Sequence, residues 1–361
     1  MVNKDVSVLK EVFQSGSVRV DLVGGTLDLR PLNLIIPNVV TVNMATGLKA
    51  KVNLSRLAKS SSDNAQYIIE SKDYQQIYRL NQEEFDQMKG DESAPLRFVL
   101  LIIDQFFRLP EVRKNIAFDE AESLRVLLES DAPAGSGLGG SSAMGATLLK
   151  GLFKLYELDP CPERIISIVN NLEGVILNRG PAGYQDYYPA MYGGLLALVS
   201  KAYGIEVEQY YDEEFCRDLC QHLTLVSSDI SRNSGINNWE VYKSFFDDDG
   251  KTRIGLHSIA KASFDLYQGL KSKNLNAVLE NICLEGEIRE NLFHGIVPQE
   301  VRELYLELRK QNLVKGMKVC GAGGGGCFLL VHSSAQKASI EKVVNSHKMR
   351  CLDLTIEKAL V

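Results

Sequence analysis

Residues 131–147 combine the residue types that can hold a phosphate group. They read Asp-Ala-Pro-Ala-Gly-Ser-Gly-Leu-Gly-Gly-Ser-Ser-Ala-Met-Gly-Ala-Thr. Glycines without a Cβ let the backbone come close to a guest. The hydroxyls of Ser141 and Ser142 can cap a helix or reach a metal ion that the phosphates hold. The chemistry that this segment predicts is binding of an anion by bare backbone N–H groups.

The flanking residues predict how this segment is positioned. Residues 123–129 read as a strand, and residues 141–156 are rich in Ala, Leu and Met and predict a helix with an apolar side. The glycines therefore lie at a strand-to-helix corner. Such a corner directs backbone N–H groups and the positive end of a helix dipole at one point.

The segment from Gly135 to Gly140 also fits the dinucleotide pattern G-x-G-x-x-G. That pattern usually opens the first βαβ unit near a chain start, whereas here it lies beyond residue 130. An NAD-linked oxidoreductase is therefore a distant alternative. The chain contains no G-x-x-x-x-G-K-[ST], H-R-D or D-F-G, which excludes P-loop NTPases and protein kinases.

Three further groups of residues carry charge or glycine in patterns of their own. An alternating strand at residues 18–23 places Arg19 and Asp21 on one face, and Gly24-Gly25-Thr-Leu-Asp28 follows it. A segment rich in Gly, Pro and Tyr, residues 180–194, holds Gln185 and Asp186. Residues 321–326 repeat G-x-G-x-x-G between two predicted strands, 317–320 and 327–331. No helix follows there, so this is not a dinucleotide site.

Together these motifs resemble those of the GHMP kinases, the superfamily of galactokinase, homoserine kinase, mevalonate kinase and phosphomevalonate kinase. The family's ATP loop reads P-x-G-x-G-L-G-S-S-A. Here Gly140 takes the place of the first serine, and the small residue Ser142 stands at the final position. The other two signatures correspond to Arg-x-x-x-x-Gly-Gly-x-x-Asp and Lys-x-x-Gly-Ala-Gly-Gly-Gly-Gly. The resemblance implies an ATP-binding set of Pro133, Gly135, Ser136, Gly137, Leu138, Gly139, Gly140, Ser141 and Ser142.

The resemblance also implies the fold. We expect a two-domain α+β protein, with an N-terminal domain like domain 2 of ribosomal protein S5 (residues 1–204) and a ferredoxin-like C-terminal domain (residues 205–361). Within the first domain we expect strands at 34–42 and 48–54 and helices at 78–88 and 93–109. The turn at 321–326 is expected to pack against the nucleotide site.

Residue roles follow from the same resemblance. Asp186 is the expected catalytic base, with Arg19 beside it, and Asp28 is expected to accept hydrogen bonds from sugar hydroxyls. Mg²⁺ is expected on Ser141, with Ser142 as the alternative. Glu173 is a second candidate ligand, although it also reads as an ordinary helix glutamate. Further expected substrate contacts are Gly25, Arg232, Gly323 and Gly324, and Arg289 lies where relatives often carry a basic helix residue.

The acceptor is less closely defined. Gly-Gly-Thr at residues 24–26, where the mevalonate and galactose branches carry Gly-Glu-His, favours the heptose-phosphate, fucose and glucuronate branch. We therefore expect an ATP-dependent kinase acting on the anomeric hydroxyl of a sugar or sugar phosphate, of the D-glycero-D-manno-heptose 7-phosphate kinase type. Another acceptor of the superfamily (galactose, mevalonate or homoserine) and a non-catalytic sensor of ATP and sugar remain as alternatives.

Composition narrows the class of protein. The 361 residues are 45% hydrophobic and 24% charged, with a net charge of −6 and no basic block. We therefore expect no nucleic-acid or membrane partner. Seven scattered cysteines without a C-x-x-C pair predict reduced thiols. Five histidines without H-x-x-x-H spacing argue against a transition-metal site. The N-terminus lacks the apolar core of a signal peptide, so we expect a cytoplasmic protein. We also expect a monomer or a homodimer.

Overall fold

The structure is a computed structural model that describes residues 7–59, 64–115, 121–177, 182–230, 238–247 and 250–360. Its strands are β1 Val8–Val23, β2 Val40–Ala58, β3 Tyr67–Ser71, β4 Gln76–Leu80, β5 Glu122–Ser130, β6 Leu195–Lys201, β7 Gly204–Tyr210, β8 Leu223–Ser227, β9 Gly316–Val319, β10 Cys327–Val331 and β11 Arg350–Leu352.

The α-helices of the described residues lie singly or in runs between these strands. They are α1 Leu32–Ile35, α2 Gln82–Gly90, α3 Arg97–Arg108, α4 Pro110–Asn115, α5 Gly140–Leu155, α6 Pro162–Leu177, α7 Tyr188–Tyr192, α8 Glu213–Gln221, α9 Asn238–Asp247, α10 Gly250–Lys271, α11 Leu275–Leu292, α12 Gln299–Lys310 and α13 Lys337–Ser346.

The chain forms two compact units, each of several segments. Unit 1 comprises residues 1–16, 49–131 and 141–178, and unit 2 comprises residues 17–48, 132–140 and 179–361. The predicted division into domains at 204/205 stays a prediction. None of the described helices is long and apolar enough to cross a membrane.

Unit 1 is a mixed sheet covered by helices. The second half of β2 pairs antiparallel with β5, from Ala50 opposite Ser130 to Ala58 opposite Glu122. β5 pairs in parallel with β3, and β3 pairs antiparallel with β4. Helix α3 buries most of its apolar residues, and Gly145 of α5 allows Phe98 and Val169 to approach the helix backbone closely.

Unit 2 holds the rest of the strands. The first half of β2 pairs antiparallel with β6, and β6 with β7. A separate antiparallel sheet has the order β11-β8-β10-β9, which is the 4-1-3-2 order of a ferredoxin-like sheet. Helices α12 and α13 bury Val301, Leu304 and Val344 in one core with Phe328 and Leu330 of β10. The expected α+β class is confirmed.

Two sequence-based boundaries are wrong. The predicted strands at 34–42 and 48–54 are instead the short helix α1 and one long strand, β2. β2 continues through Ala45–Gly47 because this stretch finds other partners: Ala45 N donates to Gly194 O, and Gly47 N to Thr355 O. The predicted helix at 78–88 begins only at Gln82. The Asn81 side chain accepts a hydrogen bond from Glu84 N, and the Glu84 side chain accepts one from Asn81 N. The helix therefore begins after Asn81, and β4 ends at Leu80.

Candidate active site

The glycine-rich segment that follows β5 is a compact loop leading into α5. Ser136 N donates to Pro133 O at 3.1 Å, which closes a turn. Gly135, Gly137 and Gly139 have φ of +70°, +78° and +71°, a region that side chains with a Cβ rarely adopt. A Cβ added at Gly135 would meet no described atom within 4 Å. The predicted strand-to-helix corner is confirmed, and its backbone has open space beside it.

Arg19 ties strand β1 to this loop. Its backbone N donates to Leu138 O at 2.9 Å, and its Nη1 donates to the carbonyl oxygen of Gly137. The residue is buried, with 4% of its surface exposed. The guanidinium is therefore held against the loop by two contacts from the same residue.

Asp186 completes a charged pair with Arg19. It lies on a 3₁₀ turn, Gln185–Tyr187, directly before α7. Its Oδ1 accepts from Arg19 Nε at 2.8 Å and lies 2.7 Å from Arg19 Nη2. A Cβ added at Gly139 would lie 3.2 to 3.3 Å from the Asp186 carboxyl. The structure thus brings the predicted base, the predicted arginine and the glycine loop together.

This pair is partly open to solvent on one side. The Asp186 side chain keeps 25% of its surface exposed, whereas that of Arg19 keeps 5%. Burial favours the neutral form of Arg19, but the attraction of Asp186 and then of Asp21 outweighs it and raises the pKa of the guanidinium. Arg19 is therefore a fixed positive charge, and the carboxylate is the member of the pair that a guest can reach.

Asp28 lies beside the same 3₁₀ turn. Its Oδ2 accepts from Gln185 N at 3.3 Å, and its backbone O accepts from Tyr184 N at 3.1 Å. A Cβ on Gly183 would lie 2.3 Å from Asp28 Oδ2, so glycine permits this approach. Burial, and then repulsion by Asp186, raise the pKa of Asp28 well above its ordinary value. The two predicted acids thus share one region of unit 2.

Gly25 is a packing position. A Cβ there would lie 2.2 Å from Asp21 Oδ2 and 2.9 Å from Gln185 Nε2. The absence of a side chain lets β1 and the 3₁₀ turn approach each other. The predicted substrate contact of Gly25 stays a prediction.

The second glycine turn, residues 321–326, contacts the first loop. Cys327 N donates to Ser136 O at 2.7 Å, and a Cβ on Gly326 would lie 2.6 Å from the same oxygen. Gly323 and Gly324 have φ of +72° and +74°, and Gly324 N donates to Ile296 O at 2.8 Å. The turn therefore packs on the loop backbone, while the substrate roles of Gly323 and Gly324 stay predictions.

The predicted magnesium ligands lie in unit 1. Ser142 Oγ donates to Glu173 Oε2 at 2.7 Å, and Ser142 is 3% exposed. Ser141 is exposed. No cluster of three or more His, Cys, Asp or Glu side chains suited to a metal occurs among the described residues. A hydroxyl beside a carboxylate still fits Mg²⁺, which prefers hard oxygen ligands and keeps several waters. This geometry favours Ser142 over Ser141.

The remaining predicted site residue, Arg232, lies outside the described residues. Its role as a phosphate or substrate clamp stays a prediction.

Sequence reasoning gave no site role to two buried acids, Asp21 and Glu285, or to several neutral groups. Asp21 and Glu285 are fully buried and meet Lys318 and Arg289. Asp21 follows Arg19 by two residues in the otherwise apolar stretch 18–23, so alternation indicates its strand face but not its partners. Glu285 precedes Arg289 by one helical turn. Several buried polar atoms have no hydrogen-bond partner among the described residues, and Thr26 Oγ1, Gln185 Oε1 and Tyr242 Oη are three of them.

Comparison with known proteins bears on this arrangement. Residues 103–194, which contain the first glycine loop and Asp186, match the family described as GHMP kinases N terminal domain. Solved structures with the same architecture cover almost the whole chain. One is the mevalonate kinase of Methanococcus jannaschii, with a TM-score of 0.72, 16% identity and coverage of 97% of this chain and 99% of that one.

The fold is that of the GHMP kinases. Lactococcus lactis galactokinase, solved with galactose, superposes with a TM-score of 0.71 at 14% identity over 98% of this chain and 94% of that one. A D-glycero-D-manno-heptose 1-phosphate kinase from Bacteriodes thetaiotaomicron gives 0.69 at 17% identity over 96% of each chain. Because these sequence identities are low, the similarity to these solved structures shows a shared fold only.

Curated relatives with sequence similarity are kinases by name. A mevalonate kinase of Methanothermobacter thermautotrophicus is 27% identical over 213 residues, 59% of this chain and 65% of that protein. The bifunctional fucokinase/GDP-fucose pyrophosphorylase of Arabidopsis thaliana is 26% identical over 333 residues, 89% of this chain and 30% of that protein. The chain thus spans less than two thirds of either relative.

Proposed function

We propose that this protein is an ATP-dependent kinase that phosphorylates a hydroxyl of a sugar or sugar phosphate. The main support for the proposal is that Arg19 contacts both Asp186 and the glycine loop. Arg19 donates both to Asp186 Oδ1 and to the Gly137 carbonyl. This arrangement combines a site for an anion with a base and a fixed cation beside it.

The chemistry assigned to these residues is phosphoryl transfer. The acceptor oxygen bonds to the γ-phosphorus while the bond from that phosphorus to the bridging oxygen breaks, and ADP leaves. Asp186 orients the acceptor hydroxyl, takes its proton and passes it to solvent, to which the carboxylate is open. Arg19 keeps Asp186 in place and offsets the negative charge of the transferring group. The loop N–H groups hold the phosphates.

The proposal includes magnesium, and Ser142 and Glu173 are the side chains that would bind it. When bound, the ion neutralises phosphate charge and orients the phosphates. The two side chains supply a hydroxyl and a carboxylate oxygen, 2.7 Å apart, as is usual for a site that leaves the remaining positions to water and phosphate.

The groups around Asp28 favour an acceptor with several hydroxyls. Among the described residues, the Asp28 carboxyl accepts a weak hydrogen bond from Gln185 N at 3.3 Å, which leaves oxygen lone pairs for hydroxyl donors. Thr26 Oγ1 and Gln185 Oε1 are buried without a hydrogen-bond partner among the described residues, and such atoms are costly unless a guest satisfies them.

The names of similar proteins support the same class. Fucokinase, galactokinase and heptose phosphate kinase occur among them, and so does mevalonate kinase. Within the class we place D-glycero-D-manno-heptose 7-phosphate first, because Gly-Gly-Thr stands at residues 24–26.

The test is an ADP-release assay with Mg-ATP and a panel of acceptors: heptose 7-phosphate, fucose, galactose, glucuronate, mevalonate and homoserine. We expect acceptor-dependent release with a sugar or sugar phosphate, and phosphorus NMR of the product to show a phosphate on the anomeric carbon. Release with mevalonate or homoserine alone would contradict the acceptor class. ATP binding without release in any mixture would favour the non-catalytic sensor instead.

A further inference from the structure

Beside the Arg19–Asp186 pair lies a second group of charges, which the reaction outlined above does not use. It consists of Asp21 on β1, Glu285 and Arg289 on α11, and Lys318 on β9, and we call it the buried quartet. Every one of these side chains is at most 2% exposed. All four belong to unit 2.

Lys318 is at the centre of the quartet. Its Nζ lies 2.9 Å from Asp21 Oδ2 and 3.1 Å from Glu285 Oε2. Arg289 is further away, with Nη1 3.6 Å from Asp21 Oδ2 and Nε 3.9 Å from Glu285 Oε1. Lys318 is therefore the cation in closest contact with both acids.

Asp21 lies two residues after Arg19 on β1, and the two side chains attract each other. Burial favours the neutral acid, but Lys318, then Arg289 and then Arg19 hold the pKa of Asp21 below its ordinary value. The attraction between Asp21 and Arg19 also contributes to the raised pKa of Arg19, after that of Asp186. Arg19 thus lies in the field of two carboxylates and contacts Asp186 directly.

The quartet also reaches the second glycine turn. Arg289 Nη2 donates to Gly321 O at 2.6 Å, at the start of the turn. The residue after the turn, Cys327, donates from its backbone N to Ser136 O of the phosphate loop at 2.7 Å. The quartet therefore contacts the start of the second glycine turn through Arg289, and the residue after that turn is hydrogen-bonded to the first glycine loop.

Stability alone gives a weak reason to bury such a group. Removing two acids and two bases from water costs more than well-packed apolar side chains would, and replacing buried ion pairs with such side chains is often neutral or stabilising. Replacing only one member of a buried ion pair, by contrast, leaves an uncompensated buried charge. The quartet is therefore expected to do more than fill the core.

We propose that Lys318 is a positioning residue for phosphoryl transfer: it neutralises Asp21 and so leaves the Arg19 guanidinium to Asp186. This inference rests on the proposed kinase function. Without the lysine, Asp21 draws Arg19 towards itself, and Asp186 loses the contact that aims it. Lys318 acts through Arg19 and touches neither substrate.

Steady-state kinetics on a set of variants test this. We expect Lys318→Met to lower kcat at least tenfold while changing the KM for ATP less than threefold. Lys318→Arg keeps the charge and should retain most of kcat. In the double variant Asp21→Asn/Lys318→Met the competing carboxylate is gone, so kcat should return to within threefold of the wild type. In an Arg19→Met background, Lys318→Met should have no further effect on kcat.

A merely structural role predicts otherwise, since the losses from Arg19→Met and Lys318→Met would then multiply. That result would overturn the proposal, and so would a kcat of Lys318→Met within threefold of the wild type or a double variant that stays slow. If Lys318→Met does not fold, Asp21→Asn alone decides. Its folded fraction should keep kcat within threefold, and a loss above tenfold contradicts the proposal.

A crystal structure of Lys318→Met, or of Lys318→Ala if that variant crystallises instead, tests the inference without catalysis. We expect the Arg19 guanidinium to contact the Asp21 carboxyl and to leave Asp186. An unchanged Arg19–Asp186 pair would overturn the inference. A wild-type protein inactive on every acceptor would instead contradict the proposed function, and the position of Arg19 would still be read from the structure.

Discussion

Arg19 and Asp21 lie two residues apart on the same face of β1, and each forms an ion pair in very different surroundings. Arg19 pairs with Asp186, whose side chain is 25% exposed, whereas Asp21 pairs with Lys318, and both of their side chains are fully buried. The first pair can meet a guest, and the second cannot. In our proposal, Arg19 takes part in the chemistry, whereas Asp21 belongs to the group of charges that positions Arg19.

The surroundings decide what each pair can do. A buried pair loses its hydration and keeps its geometry only while both partners remain. A partly exposed pair, such as Arg19 and Asp186, stays in contact with water and can exchange a proton with solvent. The following predictions test this contrast, beginning with the largest expected effect.

Asp186→Asn should lower kcat by about 10³-fold, or about 4 kcal/mol in activation free energy, because the amide cannot accept the hydroxyl proton. ATP binding, measured by calorimetry, should change little, since the loop is untouched. Asp265→Asn is a matched control: that carboxylate is 42% exposed and pairs with Lys261 on α10. A kcat of Asp186→Asn within tenfold of the wild type would remove Asp186 from the mechanism.

Asp21→Asn should lower the free energy of unfolding by about 3 kcal/mol, because Lys318 and Arg289 then stay buried with one acid fewer. Urea denaturation measures this. The matched change Asp265→Asn should cost at most about 1 kcal/mol, as surface ion pairs usually do. Equal losses in the two variants would contradict the idea that burial makes the Asp21 ion pair more important for stability than a surface pair.

Asp28→Asn should stabilise the fold at neutral and alkaline pH. The pKa of Asp28 in the folded protein is raised well above 3.8 by burial and by Asp186. The folded state therefore binds the proton more tightly, and stability is lost as pH rises from the ordinary pKa through the folded pKa. We expect the variant to exceed the wild type by about 1 kcal/mol at pH 8 and by nothing near pH 3.

Thermal unfolding across pH 3–8 measures the effect of this change. A gap between Asp28→Asn and the wild type that widens as pH falls would reverse the expected sign. The same variant should bind the acceptor more weakly, because the amide offers fewer acceptor lone pairs.

The sequence by itself determined the local features of the site. Alternation along residues 18–23 placed Arg19 on a strand face, and glycine spacing at 135–140 predicted a corner whose positive φ values were then found. These features depend on neighbours a few residues away, so a linear pattern contains them. The boundary of α2 was misplaced because a single cap, Asn81, outweighed the apolar pattern around it.

The motif resemblance predicted Arg19 beside Asp186, but only the tertiary structure decided that Lys318 meets Asp21. Asp186 lies 167 residues from Arg19, and Lys318 lies 297 residues from Asp21, so no periodicity in the sequence relates them. The pairing arises because β1, the 3₁₀ turn before α7, α11 and β9 fold around the same point of unit 2. Burial there sets the strength of each charge, and burial is a property of the packed chain that the sequence pattern does not contain.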